Sequence, residues 1–126
     1  MTKVPIRTPG APPPTGPFNH AIRYGNLVFT SGQAGRNRET GQMGDVADQA
    51  RRIFANISAV LEAAGTSLEH AIKVTVFMRN VADREAFNAV YAELMPQPYP
   101  ARTAAFCELG NPDMLVEMEV VAGVPG

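Results

Sequence analysis

The chain has 126 residues, of which 11 are Lys or Arg and 12 are Asp or Glu, giving a net charge of −1 with 45% hydrophobic and 18% charged residues. That balance describes one globular domain and excludes a disordered chain, a second core and any run of about 18 apolar residues able to cross a bilayer. Without a basic excess, neither nucleic acid nor a membrane surface is an expected partner. The first ten residues lack a signal-peptide core, so a cytoplasmic location is expected.

In chain order, Lys3–Arg7 is a possible first strand. Thr8–Pro17 is dense in proline and glycine and reads as extended, irregular chain. Asn19–Tyr24 and Leu27–Thr30, around Gly25-Asn26, predict a β-hairpin. Gly35–Gly44 is polar and glycine-punctuated, hence a loop. Asp45 then opens a helix, its carboxylate suited to the orphan amides of the first turn. Val46, Ala50, Ile53, Phe54, Ile57, Val60, Leu61 and Ala64 draw one apolar stripe, with Arg51, Arg52, Asn56 and Glu62 off it. Gly65 supplies a left-handed stop.

Ala71–Met78 is β-branched and alternating, a strand expected in the sheet interior. Asp83 is a candidate cap for a second helix whose apolar face is Phe87, Val90, Tyr91 and Leu94. Pro96, Pro98 and Pro100 end it and lead into a strand at Arg102–Leu109. The Gly110–Asp113 turn precedes a last strand, Leu115–Ala122. Two one-sided helices among strands predict a mixed sheet covered on one face, an α+β fold. The other face is not fully polar, which hints at subunit packing.

The chemistry is narrowed first by absences. One cysteine, Cys107, and two distant histidines, His20 and His70, offer no disulfide and no metal-binding motif. No phosphate-cradling glycine loop or nucleophile elbow is present. Cys107 reads as a buried structural thiol, and His20 and His70 as surface residues.

Glu117 and Glu119 are two apart on a strand and leave one face, while Val116, Met118 and Val120 leave the other. A partly buried carboxylate there would have a raised pKa suited to proton transfer; a solvated polar face is the simpler alternative. Arg102, following Pro100-Ala101, suits bidentate capture of a carboxylate, against the alternative of a plain surface ion pair. If the last two strands pair as a hairpin, Arg102 and the glutamates share a neighbourhood. Ser31-Gly32-Gln33 ends a strand where a bare backbone admits close approach, or is simply a turn.

The ordered set Gly16-Pro17-Phe18, Gly25–Gln33, Gln49-Ala50-Arg51, Leu61–Gly65, Lys73–Phe77, Phe87–Tyr91, Pro100–Thr103 and Val116–Glu119 resembles the RidA (YjgF/YER/UK) family along nearly the whole chain. The resemblance implies a chorismate-mutase-like fold, a homotrimer with sites between subunits, and no metal or organic cofactor. It implies hydrolysis of 2-imino acids, or their enamine tautomers, to 2-keto acids and ammonia. Carried over by position, Arg102 binds the substrate carboxylate, Glu117 handles water, and Asn88, Ser31 and Gly32 line the pocket. Two positions depart from the family pattern: Phe18 stands where a tyrosine is usual, and Ala104 where a cysteine is usual. These departures leave a non-catalytic trimeric binder of small carboxylates as the alternative.

Overall fold

The computed structural model describes the whole chain, Met1–Gly126. Six strands form one sheet: β1 (Lys3–Ile6), β2 (Ala21–Tyr24), β3 (Leu27–Thr30), β4 (Ala71–Met78), β5 (Ala101–Phe106) and β6 (Val116–Gly123), in the spatial order β1-β2-β3-β6-β4-β5. Helices α1 (Val46–Ala63) and α2 (Arg84–Leu94) lie on one face. No helix is long and apolar enough to cross a membrane.

The local signals behave largely as their chemistry dictates. Asp45 caps α1 through a reciprocal capping box: its carboxylate accepts from the Asp48 amide at 2.9 Å, and the Asp48 side chain accepts from the Asp45 amide at 3.1 Å. Gly65 closes the helix at φ +89°, its amide donating to Glu62 O. The whole predicted stripe of α1 is buried against Val28, Val74, Val76, Met78, Val116, Met118, Val120 and Ala122 of the sheet. Asn56, read as lying off the stripe, is buried too and donates to Ala34 O. Asp83 does not cap α2 with its side chain; a single 3₁₀ turn, Val81–Asp83, leads into that helix instead.

The larger correction concerns the last two strands, which do not form a hairpin. β5 runs parallel to β4, with Val74 opposite Arg102, while β6 is antiparallel to β4 on its other side, with Phe77 opposite Glu117. β4–α2–β5 is therefore a βαβ crossover, which puts α2 on the helix-covered face. The connection from Phe106 to Val116 has to step across the end of β4, and polar side chains hold it there. Arg79 donates to Met114 O and Asn111 O at 2.9 and 2.8 Å. Fully buried Gln49 donates to Gly44 O and Asp113 O and accepts from the Leu115 amide. A tight hairpin needs only two to about five loop residues, so this longer tethered segment is free to choose another strand.

On the uncovered face, Tyr24, Phe29, Thr75, Phe77, Glu117 and Glu119 alternate with the core-facing residues. Phe29 is 44% and Tyr24 48% exposed in the single chain.

Candidate functional site

Arg102 stands on the edge strand and is exposed. Its Nη2 donates to Asn88 Oδ1 at 2.7 Å, and its guanidinium lies 4.6 Å from the Tyr91 ring centre and 5.8 Å from that of Phe87. All three neighbours come from α2, which the βαβ crossover lays beside β5. A guanidinium stacked on aromatic faces and fixed by one carboxamide is pre-oriented, with donors left over for an incoming anion. Arg102 has no carboxylate partner within the chain. With Asn88, Tyr91, Ala92, Tyr99 and Pro100 it lines a cleft of about 310 Å³. The Tyr91 hydroxyl is buried with no hydrogen-bond partner. Burial pushes its pKa up, and the Arg102 charge opposes that shift.

Glu117 lies in a different cleft, of about 410 Å³, whose walls include Pro12, Pro14, Phe18, Gly32 and Met114. β3 leaves the ladder after Phe29 and rejoins it at Gln33, which exchanges both backbone hydrogen bonds with Met118. Between these points Thr30 Oγ1 accepts from the otherwise unpaired Val120 amide at 2.9 Å, and Ser31-Gly32 passes over Glu117. A Cβ on Gly32 would come within 2.9 Å of Glu117 Cδ, so a larger residue there would displace the carboxyl group that lies against the glycine. The amides of Ser31 and Gln33 are bonded to His20 O and Met118 O, while the Gly32 amide donates to no protein group. Glu117 is half-buried and has neither an ion pair nor a hydrogen-bond donor within the chain. Burial, and secondarily the charge of Glu119, push its pKa up.

The sequence-derived residues thus fall into two groups. Arg102 and Asn88 meet on the helix-covered face. Glu117, Gly32 and Phe18 meet on the other side, with Ser31 beside them, its hydroxyl committed to Asn19 O at 2.6 Å. Ala104 shares the Arg102 face of β5 and is exposed, outside the Arg102 cleft. β4 intervenes between β5 and β6, so two strand spacings, about 10 Å, and the thickness of the sheet separate the two groups. One small molecule cannot bridge them in a single chain.

His20, read as a surface residue, is 3% exposed. Its Nδ1 accepts from the Thr8 amide at 3.1 Å and its Nε2 donates to Pro12 O at 2.7 Å, which clamps the proline-rich wall of the Glu117 cleft. Tyr91 and Tyr99 likewise escaped a reading that treated Tyr91 only as core. Their signal was the position of Tyr91 one helical turn beyond Phe87 and Asn88. Cys107, expected to be buried, is free and exposed, because β5 ends at Phe106 before the strand could cover it. No cluster of three His, Cys, Asp or Glu side chains in the chain could hold a metal ion.

Comparison with known proteins places this arrangement. The family model described as endoribonuclease L-PSP matches residues 8–124. The chain is 43% identical over 119 residues to a 2-iminobutanoate/2-iminopropanoate deaminase of Dermatophagoides farinae, covering 92% of each chain. It is 37% identical over 126 residues to the 3-aminoacrylate deaminase RutC of Acinetobacter baylyi, covering 98% of this chain and all of the relative. Its fold superposes on the crystal structure of E. coli TdcF with bound serine at a TM-score of 0.90 and 34% identity, covering 97% of this chain and 99% of that one. With its mixed sheet, two helices on one face and near full-length matches, the chain belongs to the RidA (YjgF/YER/UK) family.

Proposed function

We propose that the protein is a cytoplasmic deaminase of 2-imino acids and their enamine tautomers, working as a homotrimer of the chorismate-mutase-like type with each site shared between two copies. The observation that carries this reading is the division of the site. Arg102 is pre-oriented but lacks an anion, Glu117 is unpaired beside a free amide, and the two lie on opposite faces of one chain. A second copy laid on the uncovered sheet face supplies the missing half. Two relatives bear deaminase names, and a third is described with a bound amino acid, a carboxylate of similar size.

In the proposed reaction Arg102 of one copy holds the substrate carboxylate through its free N–H groups. The Gly32 amide and Glu117 of the other copy face the imine carbon. Glu117 accepts a proton from water as the water oxygen bonds to that carbon. It then returns the proton to nitrogen and, as the C–N bond breaks, takes the hydroxyl proton, so that ammonia leaves as the carbonyl forms. A protonated imine is already electrophilic, so placement and a proton shuttle suffice. Water exclusion between copies strengthens the contacts to the carboxylate. Closing the cleft also raises the proton affinity of Glu117 further, which suits a group that must both take and give a proton.

Mixing two inactive variants tests the shared site. R102A and E117Q homotrimers should each fail to speed release of 2-keto acid from imino acids generated by an amino-acid oxidase. Random 1:1 mixed trimers should recover about a quarter of the wild-type activity, since one interface in four joins an intact Arg102 to an intact Glu117. No recovery in verified mixed trimers refutes the shared site. Phe18 supports a second reading, because it brings no hydroxyl to the Glu117 cleft. Saturable 2-keto acid binding by the wild type, without turnover of any imino acid, would select the non-catalytic binder.

A further inference from the structure

A third cleft, of about 330 Å³, opens where the 36–39 loop meets α1 and the N-terminal segment, and no step above uses it. Its lining holds Arg36, Arg38 and Arg52 with Asn37 and Asn56, and Glu39 is the sole acid among the lining residues. Each arginine is set in place by backbone carbonyls. Arg52 donates to Gly35 O at 2.6 Å and to Met43 O, Arg36 to Gly41 O at 2.8 Å, and Arg38 to Pro9 O at 3.0 Å. Carbonyls orient a guanidinium without cancelling its charge. Arg36 is paired with Asp113 at 3.2 Å, but Arg38 and Arg52 form no salt bridge, although Asp45 feels the charge of Arg52. Gly10 completes the wall so close to α1 that a Cβ there would lie 2.9 Å from Ala59 Cβ.

We propose that this cleft binds the phosphate group of a small phosphorylated metabolite, independently of the imine site. Arg36 is already paired with Asp113, so Arg38 and Arg52 against Glu39 leave a surplus of one positive charge, with the side chains of Asn37 and Asn56 beside them. The arginines come from a loop and a helix, so their N–H groups reach the cleft from several directions. A tetrahedral oxyanion can accept from all of them, whereas a planar carboxylate accepts in one plane. The arginines sit in one cleft with Glu39 at its lining, a single cluster rather than the track of charges a nucleic-acid backbone needs. Arg36 also lines the Glu117 cleft, which places the bound phosphate next to the imine site.

Calorimetry at low ionic strength with inorganic phosphate, pyrophosphate and acetate tests the assignment on the full-length protein. One saturable phosphate or pyrophosphate per chain is expected, with no acetate binding at this cleft. R38A, at an exposed position whose side chain bonds a single carbonyl, should weaken binding about tenfold, and R38E should abolish it. Circular dichroism of both variants confirms folding. R102A should leave phosphate affinity unchanged. Binding lost in R102A and kept in R38E would place the anion at the imine site and overturn the proposal. So would the absence of saturable binding, or a single-stranded oligonucleotide that binds more tightly than pyrophosphate with a steep salt dependence. The imine-site reading stands or falls separately, on the mixed-trimer activity.

Discussion

Glu117 is a residue whose position opposes its own ionisation, and the sign of that conflict is measurable. Its folded-state pKa lies above the unfolded value because burial, then Glu119, disfavours the carboxylate. The folded chain therefore holds the proton more tightly, and stability falls as pH rises from the ordinary glutamate range through the raised value. E117Q should raise the melting temperature at neutral pH, with the gain shrinking toward acid pH, while turnover collapses. Equal melting curves at every pH would show that the carboxylate carries no such penalty. Tyr91 makes a complementary case. Y91L removes the ring beneath Arg102 and should raise KM roughly five- to tenfold with little change in kcat. Y91F keeps the ring, removes an unpartnered buried hydroxyl and should preserve KM while adding about 1 kcal/mol of stability. A fall in Y91F turnover would show that substrate or a second copy uses the hydroxyl. The faces of Glu117 and Glu119 were legible in sequence because a strand alternates with period two. The burial of Glu117 was not, because it depends on Gly32 crossing from a strand more than eighty positions away. His20 was illegible for the same reason, since the groups that satisfy its ring lie on a segment with no regular structure.

At the scale of elements, the helices and most strands could be read because each carries its own period and its own stop. The pairing of β5 could not be read from turn residues alone. Gly110–Asp113 has hairpin composition, yet Arg79 and Gln49 bind the backbone around it and carry the chain past β4. Three prolines after α2 pointed to an extended return, but gave no sign of which strand it would join. Close approach between elements also leaves sharp tests. A Cβ on Gly35 would stand 2.2 Å from the backbone oxygen of Gln49 in α1, and neither can move without lifting the helix from the sheet. G35A should cost about 3 kcal/mol or more in denaturant unfolding, or prevent folding. D45A, which removes one half of the α1 capping box, should cost about 1 kcal/mol in the same measurement.

The whole molecule is two-faced, and its uncovered face was foreshadowed by apolar residues that one chain does not bury. Light scattering at micromolar concentration should give about three times the chain mass under the proposed assembly; a folded, active monomer would remove the need for a shared site. The two edges of the sheet are guarded unequally. β1 carries Lys3 and Pro5, a charge and a missing donor, both of which discourage a passing strand from pairing with it. β5 has the sequence ARTAAF, and Arg102 is its only charge. The guanidinium that takes the carboxylate in the proposed reaction is therefore also what keeps this rim from recruiting misfolded neighbours. Losing it should leave a protein that is not only inactive but prone to clump when warmed, visible as turbidity below the unfolding temperature. Lysine at this position keeps the charge and loses the planar fork, so R102K should stay clear in solution while still binding substrate poorly.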